Sequence, residues 1–355
     1  MTARVSKKAV PESPRATIVM PCWRDGATVG EAIGDIRAQT GVAWEAVVVF
    51  DGVDDHTRAA AVAAIDGDAR IRVLDRPHAG LVAALNAGVE AARTPIIARF
   101  DADDRMLPER LARQVAWLDA HPHATVVAAH VAWGSLDAAS DGRGMERHIA
   151  WLATMLDHDD IAAMRFVDAP VAHPAVAYRR DAVLPFGPYR HGDFAEDHDL
   201  WLRLIASGHR FGVIPEPLVT WRDRPGRLTR SDVRYRDDRR KRLVHEHLVA
   251  GPVGEGRPLL VWGAGVYGRR HVRGLRAVAE MHGIRLQFRA FIDIDPQKIG
   301  RVLQGDVPVV GPETLGPPDG SLLLVAVAAA GARALIEDEL RERGWQREHD
   351  YLLLQ

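Results

Sequence analysis

The sequence predicts two α/β domains in succession, each built on a mostly parallel sheet and the second smaller than the first. Three observations carry this. Short apolar runs alternate with amphipathic segments from Arg15 to about Trp133, and a stretch of linker composition, Gly251-Pro-Val-Gly-Glu-Gly-Arg-Pro258, interrupts the chain. A second strand, glycine turn and helix pattern starts directly after it.

Residues 1–14, with lysine, serine and proline but no hydrophobic period, read as a flexible leader. The first domain, 15–230, opens on a strand at 17–20. A helix over about 28–39 follows, in which Thr28 and Glu31 have capping-box spacing. Strands at 46–50, 71–74 and 95–100 alternate with helices at 55–65 and 79–91, and the unbroken apolar runs suit parallel strands buried on both faces. A helix over 107–120 has proline in its first turn, and a strand follows at 125–133. From 134 to 171 the period weakens, with a helical stretch at 149–156, as in an insertion facing an acceptor. Residues 196–207 read as a helix opened by two acids, 215–226 as a mobile loop and 234–250 as a helix, so that 231–257 forms a helix and linker. The second domain, 258–355, has strands at 259–262, 287–292 and 322–326 and a helix ending near Met281.

Composition excludes several classes. In 355 residues, 46 basic side chains face 48 acidic ones, a net charge of −2, with no global field to attract a nucleic acid. The single cysteine, Cys22, excludes an internal disulfide framework and a cysteine zinc site, and fits a reducing cytoplasm. The longest apolar run, 322–330, is shorter than the roughly 20 residues of a membrane span. Arg234, Arg236, Arg239, Arg240, Lys241 and Arg242 leave peripheral docking at the inner membrane face open, beside a solvated helix face diluted by Asp237 and Asp238.

The sharpest chemical feature is Arg99-Phe-Asp101-Ala-Asp103-Asp104 at a strand end. On extended backbone Asp101 and Asp103 point the same way and Asp104 faces elsewhere, so two hard oxygen donors converge as magnesium or manganese requires. A solvated turn or a helix cap is the other reading. Asp197 heads the helix whose buried stripe is Leu200, Trp201, Leu204 and Ile205, which turns it inward as a base or as a cap. His245 and His247, two apart on a helix, face different directions and lack ligand spacing. In the second domain Gly263-Ala-Gly265-Val-Tyr-Gly268 follows a strand and opens a helix, and Asp293 ends the next strand, the arrangement that brings a backbone to a diphosphate and an acid to a ribose hydroxyl.

Pro21-Cys-Trp-Arg24, Gln39-Thr-Gly41, Glu45-Ala-Val-Val-Val-Phe-Asp-Gly52 and Gly80-Leu-Val-Ala-Ala-Leu-Asn-Ala-Gly88 run in order along the chain. Ala98-Arg-Phe-Asp-Ala-Asp-Asp104, Pro108-Glu-Arg-Leu111, His173-Pro174 with Arg179, and Glu196-Asp-His-Asp-Leu-Trp-Leu-Arg-Leu204 complete the series. In order and spacing it resembles glycosyltransferase family 2 over about residues 15–230. The resemblance implies a GT-A fold, followed here by the smaller Rossmann-like domain. It also implies inverting transfer from a nucleotide-diphosphate sugar, most often a UDP-sugar, with Mn2+ or Mg2+. By position, Asp51 would accept the uracil imide N–H and the Pro21–Trp23 loop would flank the base. Asp101 would lie near the ribose and metal-bound water, Asp103 would bind the metal, Asp197 would be the base, and Glu196 would shape the site or bind the acceptor.

Trp221-Arg-Asp-Arg-Pro-Gly-Arg-Leu-Thr229 resembles a mobile Tyr-Arg-x-His loop with Arg224 in the histidine position. Arg222 and Arg224 are then diphosphate clamps or surface arginines. Phe50, Val53 and Arg24 also depart from the family pattern. A Gln-x-x-Arg-Trp motif is absent, which implies transfer of one sugar at a time. Phe291-Ile-Asp-Ile-Asp-Pro-Gln-Lys-Ile-Gly300 with Val307-Pro-Val-Val-Gly-Pro312 resembles the N-terminal domain of bacterial sugar acetyltransferases. That leaves the second domain open as a nucleotide, dinucleotide or nucleotide-sugar site, as a structural or homo-oligomerising module, or as a dehydrogenase. The expected protein is a cytoplasmic, non-processive glycosyltransferase of surface-polysaccharide synthesis. Its acceptor is a hydroxyl of a glycan, lipid-linked or protein molecule, and the rival reading is a non-catalytic nucleotide sensor.

Overall fold

The computed structural model describes residues 13–136, 142–224, 227–329 and 331–354. Residues 1–12 of the expected leader, and Pro225 and Gly226 of the expected loop, lie outside the described residues. The chain divides into two compact units: Met1–Ala153 with Ala172–Pro188 and Arg210–Arg224, and Thr154–Val171 with Tyr189–His209 and Pro225–Gln355. The second unit thus takes in Thr154–Val171, Tyr189–His209 and the residues from 225 to 230 out of 15–230.

The first unit holds strands β1 (Ala16–Cys22), β2 (Trp44–Asp51), β3 (Ile71–Arg76), β4 (Ile96–Arg99), β5 (Arg105–Met106), β6 (Ala124–Ser135), β7 (Val176–Arg179) and β8 (Arg210–Asp223). They form one sheet in the order β3-β2-β1-β4-β7-β6-β8-β5. Pairs β1/β2, β2/β3, β1/β4 and β6/β8 are parallel, whereas β7 runs antiparallel to β4 and β6, and β5 to β8. Strand β2 shows why the apolar runs are unbroken: Ala46, Val48 and Phe50 join the large core with Ile18, Met20 and Ile33, while Val47 and Val49 pack on Ala84 of the helix Leu81–Ala91. Alternate side chains thus enter opposite cores.

Several expectations are corrected. The segment 215–226 is not a loop through most of its length, because β8 continues to Asp223. The prolines fit since the ladder with β6 jumps from Ile214 opposite Ala129 to Pro217 opposite His130, bulging Pro215 and Glu216 out of the pairing. The capping box is not made: Thr28 gives its helix Val29–Arg37 no side-chain cap, and Glu31 pairs instead with Arg222. The aperiodic stretch contains two helices, Arg143–Leu152 and His158–Met164.

Gly212 of β8 marks a tight contact, since a Cβ there would lie 1.8 Å from the Trp117 ring. Gly212→Ala should therefore destabilise the protein by about 1–3 kcal/mol through overpacking, read as a lower Tm; an unchanged Tm would show that the ring yields freely.

The second unit holds β9 (Leu259–Trp262), β10 (Phe288–Ile292), β11 (Val302–Leu303), β12 (Val307–Val310), β13 (Leu322–Val325) and β14 (Tyr351–Leu353), in the order β11-β12-β10-β9-β13-β14 and parallel except at β11/β12. Its core joins Leu259 and Val261 to Val272, Leu275 and Val278 of the helix Val266–Met281. Leu243 and Leu248 of the helix Asp237–Ala250, with Phe166 and Leu202, complete it. No helix among the described residues is long and apolar enough to cross a membrane.

Candidate active site

Parallel strands β2, β1 and β4 are neighbours, so their carboxyl ends reach one edge of the sheet, where open α/β sheets bind ligands. That edge carries Asp51, Pro21–Trp23 and the aspartate turn. Beyond β4, Phe100 and Ala102 are buried in the core, and Asp101 and Asp103, alternating with them, are half-buried. Asp104 is buried, and its Oδ1 accepts the Arg222 backbone N–H at 2.8 Å. One oxygen from each of Asp101, Asp103 and Asp104 falls within 4.8 Å of the others. Asp104 therefore joins the group instead of facing elsewhere, because the chain turns at Ala102–Asp103 and strand alternation no longer applies. Three hard carboxylate donors so gathered fit Mg2+ or Mn2+.

Arginines surround the turn. Arg99 pairs with Asp101. Arg222 is 7% exposed, donates from Nε to the Asp103 carbonyl and pairs with Glu31. One guanidinium contact thus braces the turn and the other reaches the helix Val29–Arg37. Arg224 donates from Nε to Asp103 Oδ2 at 2.7 Å and from Nη2 to Asp25 Oδ1 at 2.9 Å. Burial works against the Arg224 charge, but Asp103 and Asp25 outweigh it and raise its pKa above the ordinary arginine value. Burial likewise pushes the Asp25 carboxyl up. Burial, then Asp25, pushes the Cys22 thiol well above its ordinary value, which leaves it without nucleophilic character.

Asp51 is buried and accepts the backbone N–H groups of Ala79 and Gly80 at 2.7 and 2.9 Å, just before the helix Leu81–Ala91. His78 Nδ1 lies 2.8 Å from its Oδ2, and the His78 ring stacks on Trp23 at 4.8 Å between centroids. Trp23 is exposed and Pro21 buried. Asp25, Glu31 and His78 are site neighbours that the sequence reading missed; the place of His78 just before the Gly80–Gly88 motif was the available signal. His173 is buried, and burial with the nearby Arg99 charge holds its pKa well below the usual histidine range.

In the second unit the helix Glu196–Ala206 turns differently from expectation. Glu196 is 1% exposed and accepts the Tyr235 hydroxyl at 2.8 Å. Asp197 is half-buried, and its Oδ1 accepts the His198 backbone N–H at 2.8 Å. The inward carboxylates are Glu196 and Asp199. Asp199, fully buried, is held by Arg190, Arg203 and His247. His245 instead meets the buried His271 at 2.9 Å.

At the glycine turn, Gly263 has φ +112°, and a Cβ on Gly268 would lie 1.8 Å from the Gly263 carbonyl. Gly265 caps the helix Val266–Met281. Asp293 Oδ2 accepts the Ala264 N–H at 2.8 Å and pairs with Lys298 at 3.1 Å, so its carboxylate closes the chain's own turn. In the basic stretch Arg234, Arg239, Arg240, Lys241 and Arg242 each pair with a carboxylate of the same unit.

The family model described as Glycosyl transferase family 2 matches residues 17–187. The chain is 32% identical over 190 residues to the amylovoran biosynthesis glycosyltransferase AmsE of Erwinia amylovora, covering 53% of this chain and 68% of that protein. Among solved structures it resembles S. aureus TarS 1-349 in complex with UDP-GlcNAc, with a TM-score of 0.53 at 16% identity over 76% of this chain and 72% of that one. The mannosyltransferase PcManGT from Pyrobaculum calidifontis, in complex with GDP-Man and Mn2+, has a TM-score of 0.51 at 17% identity over 77% and 76%. At such identities the likeness speaks for the fold alone, a GT-A arrangement with the second sheet as a further domain. The AmsE match extends over more than two thirds of that glycosyltransferase, and the chain belongs to glycosyltransferase family 2.

Proposed function

We propose that the protein is an inverting, non-processive glycosyltransferase that moves one sugar from a nucleotide-diphosphate donor, a UDP-sugar by the family pattern, to a hydroxyl acceptor in bacterial polysaccharide synthesis. The observation that carries this reading is the carboxylate group Asp101, Asp103 and Asp104 at the carboxyl edge of β2, β1 and β4, beside Asp51 and Trp23. Trp23 and His78 offer the base an aromatic surface, and Asp51 an acceptor for its imide N–H. Asp101 and Asp103 would hold Mn2+ or Mg2+, which when bound supplies positive charge to the departing diphosphate. Asp197 takes the proton as the acceptor oxygen bonds to the anomeric carbon and the bond to the nucleoside diphosphate breaks on the opposite face, inverting the centre. Glu196, held by Tyr235, orders the helix start beside it. The cytoplasmic placement and the polysaccharide acceptor rest on Cys22 and on the relative's role in amylovoran synthesis.

Calorimetric titration of UDP and GDP with and without Mn2+ tests the donor site. Wild type should bind UDP with Mn2+, and Asp103→Ala should weaken that binding more than tenfold. Absence of binding by both nucleotides would shift the reading to a sensor whose ligand is held by Gly263, Gly265 and Gly268 of the second unit, a nucleotide-binding role akin to the acetyltransferase-like resemblance.

A further inference from the structure

Arg222 and Arg224 lie two residues apart at the end of β8, so both side chains are thrown to the same side, toward the aspartate turn. They are used differently. Arg222 is almost wholly buried, is tied to the turn by its backbone N–H on Asp104 and by Nε on the Asp103 carbonyl, and pairs with Glu31 of the helix Val29–Arg37. The Arg224 side chain keeps 32% of its surface in solvent and bridges two carboxylates, Asp103 Oδ2 and Asp25 Oδ1. Asp103 is a donor that a divalent cation needs, and a guanidinium has no lone pair with which to join a metal's ligand shell. A cation and Arg224 therefore compete for the same carboxylate.

We infer that Arg224 is a tethered counter-cation that holds Asp103 and Asp25 and yields Asp103 when metal and nucleotide enter together. The inference rests on the donor-site reading above. Its thermodynamic content is a coupling. Metal entering alone must displace the guanidinium from Asp103 and leave it only Asp25, whereas a nucleotide diphosphate gives it a new anion to bind. Free metal should bind weakly and metal with UDP tightly. A positively charged side chain at this position makes the protein selective for the metal–nucleotide pair over either component.

The test is a Mn2+ titration followed by electron paramagnetic resonance, without nucleotide and then with UDP, on wild type, Arg224→Ala and Arg224→Gln. Without nucleotide, both variants should bind Mn2+ at least tenfold more tightly than wild type, and adding Asp103→Ala to either should abolish the gain. The factor by which UDP tightens Mn2+ binding should shrink in both variants. Folding is checked by circular dichroism, and the two substitutions guard against one that fails to fold. Variants that bind free Mn2+ no more tightly than wild type, while all three bind Mn2+ with UDP through Asp103, would overturn the role of Arg224 and leave the donor site standing. No Asp103-dependent Mn2+ binding in any protein, with or without UDP, would overturn both.

Discussion

Asp197→Asn should lower sugar transfer about 10²–10⁴-fold, the contribution of a positioned general base, and leave manganese-dependent UDP binding unchanged. Asparagine keeps the size of the side chain and can still accept the His198 N–H that orients Asp197, so the change removes proton affinity and little else. The site suits a base. Asp197 is the second residue of the helix Glu196–Ala206, where free N–H groups and the helix dipole favour an ionised carboxylate, and it is partly open to solvent. Glu196 beside it is buried and committed to Tyr235, which makes it the poorer candidate to meet an acceptor. The measurement is UDP release and product formation with whichever UDP-sugar of a panel the wild type turns over. Retention of more than a tenth of the wild-type rate would return Asp197 to a helix-capping role.

Asp199→Ala should destabilise the protein by about 3–5 kcal/mol, the cost of breaking a buried ion pair by removing one partner. Asp199 is completely buried, and Arg190, Arg203 and His247 converge on it from the loop before its helix, from the helix itself and from the helix Asp237–Ala250. Burial alone would raise its pKa; the hydrogen bonds from His247, Arg190 and Arg203 outweigh it and hold the carboxyl far below the usual range. The sign of the pH dependence follows. A depressed folded-state pKa contributes stability above the unfolded value of about 4 and loses it as pH falls toward the folded one. The gap between wild type and variant should therefore be full at neutral pH and narrow below about pH 4. Scanning calorimetry across that range reads it, and a gap that stays constant into acid would remove the carboxylate charge as its source.

Much of the fold was legible because it depends on local properties. The unbroken runs at β1, β2 and β4 announce strands buried on both faces, and the aspartates after Arg99 announce the carboxyl edge where those strands end. Strand β8 was hidden by Pro215 and Pro217, since the bulge at Pro215 and Glu216 that admits them exists only against the register of β6. The helix head at Glu196 was misjudged by one residue: four apolar positions define a stripe, but its edge is set by what packs there, and Tyr235 drew Glu196 inward. Thr28 and Glu31 had the right spacing for a cap, yet Arg222, 191 residues away in the chain, took the Glu31 carboxylate.

The aspartate turn shows the same division. Sequence by itself determined that hard carboxylates gather after β4, because residue type and strand end are local facts. Only the tertiary structure decided which cation answers them: Arg224 reaches Asp103 across 121 residues and Asp25 across 199. Hydrophobic period and turn chemistry act over a few residues and can be read along the chain. Charge pairing acts through space, and its partners are set by which strand ends the sheet brings together.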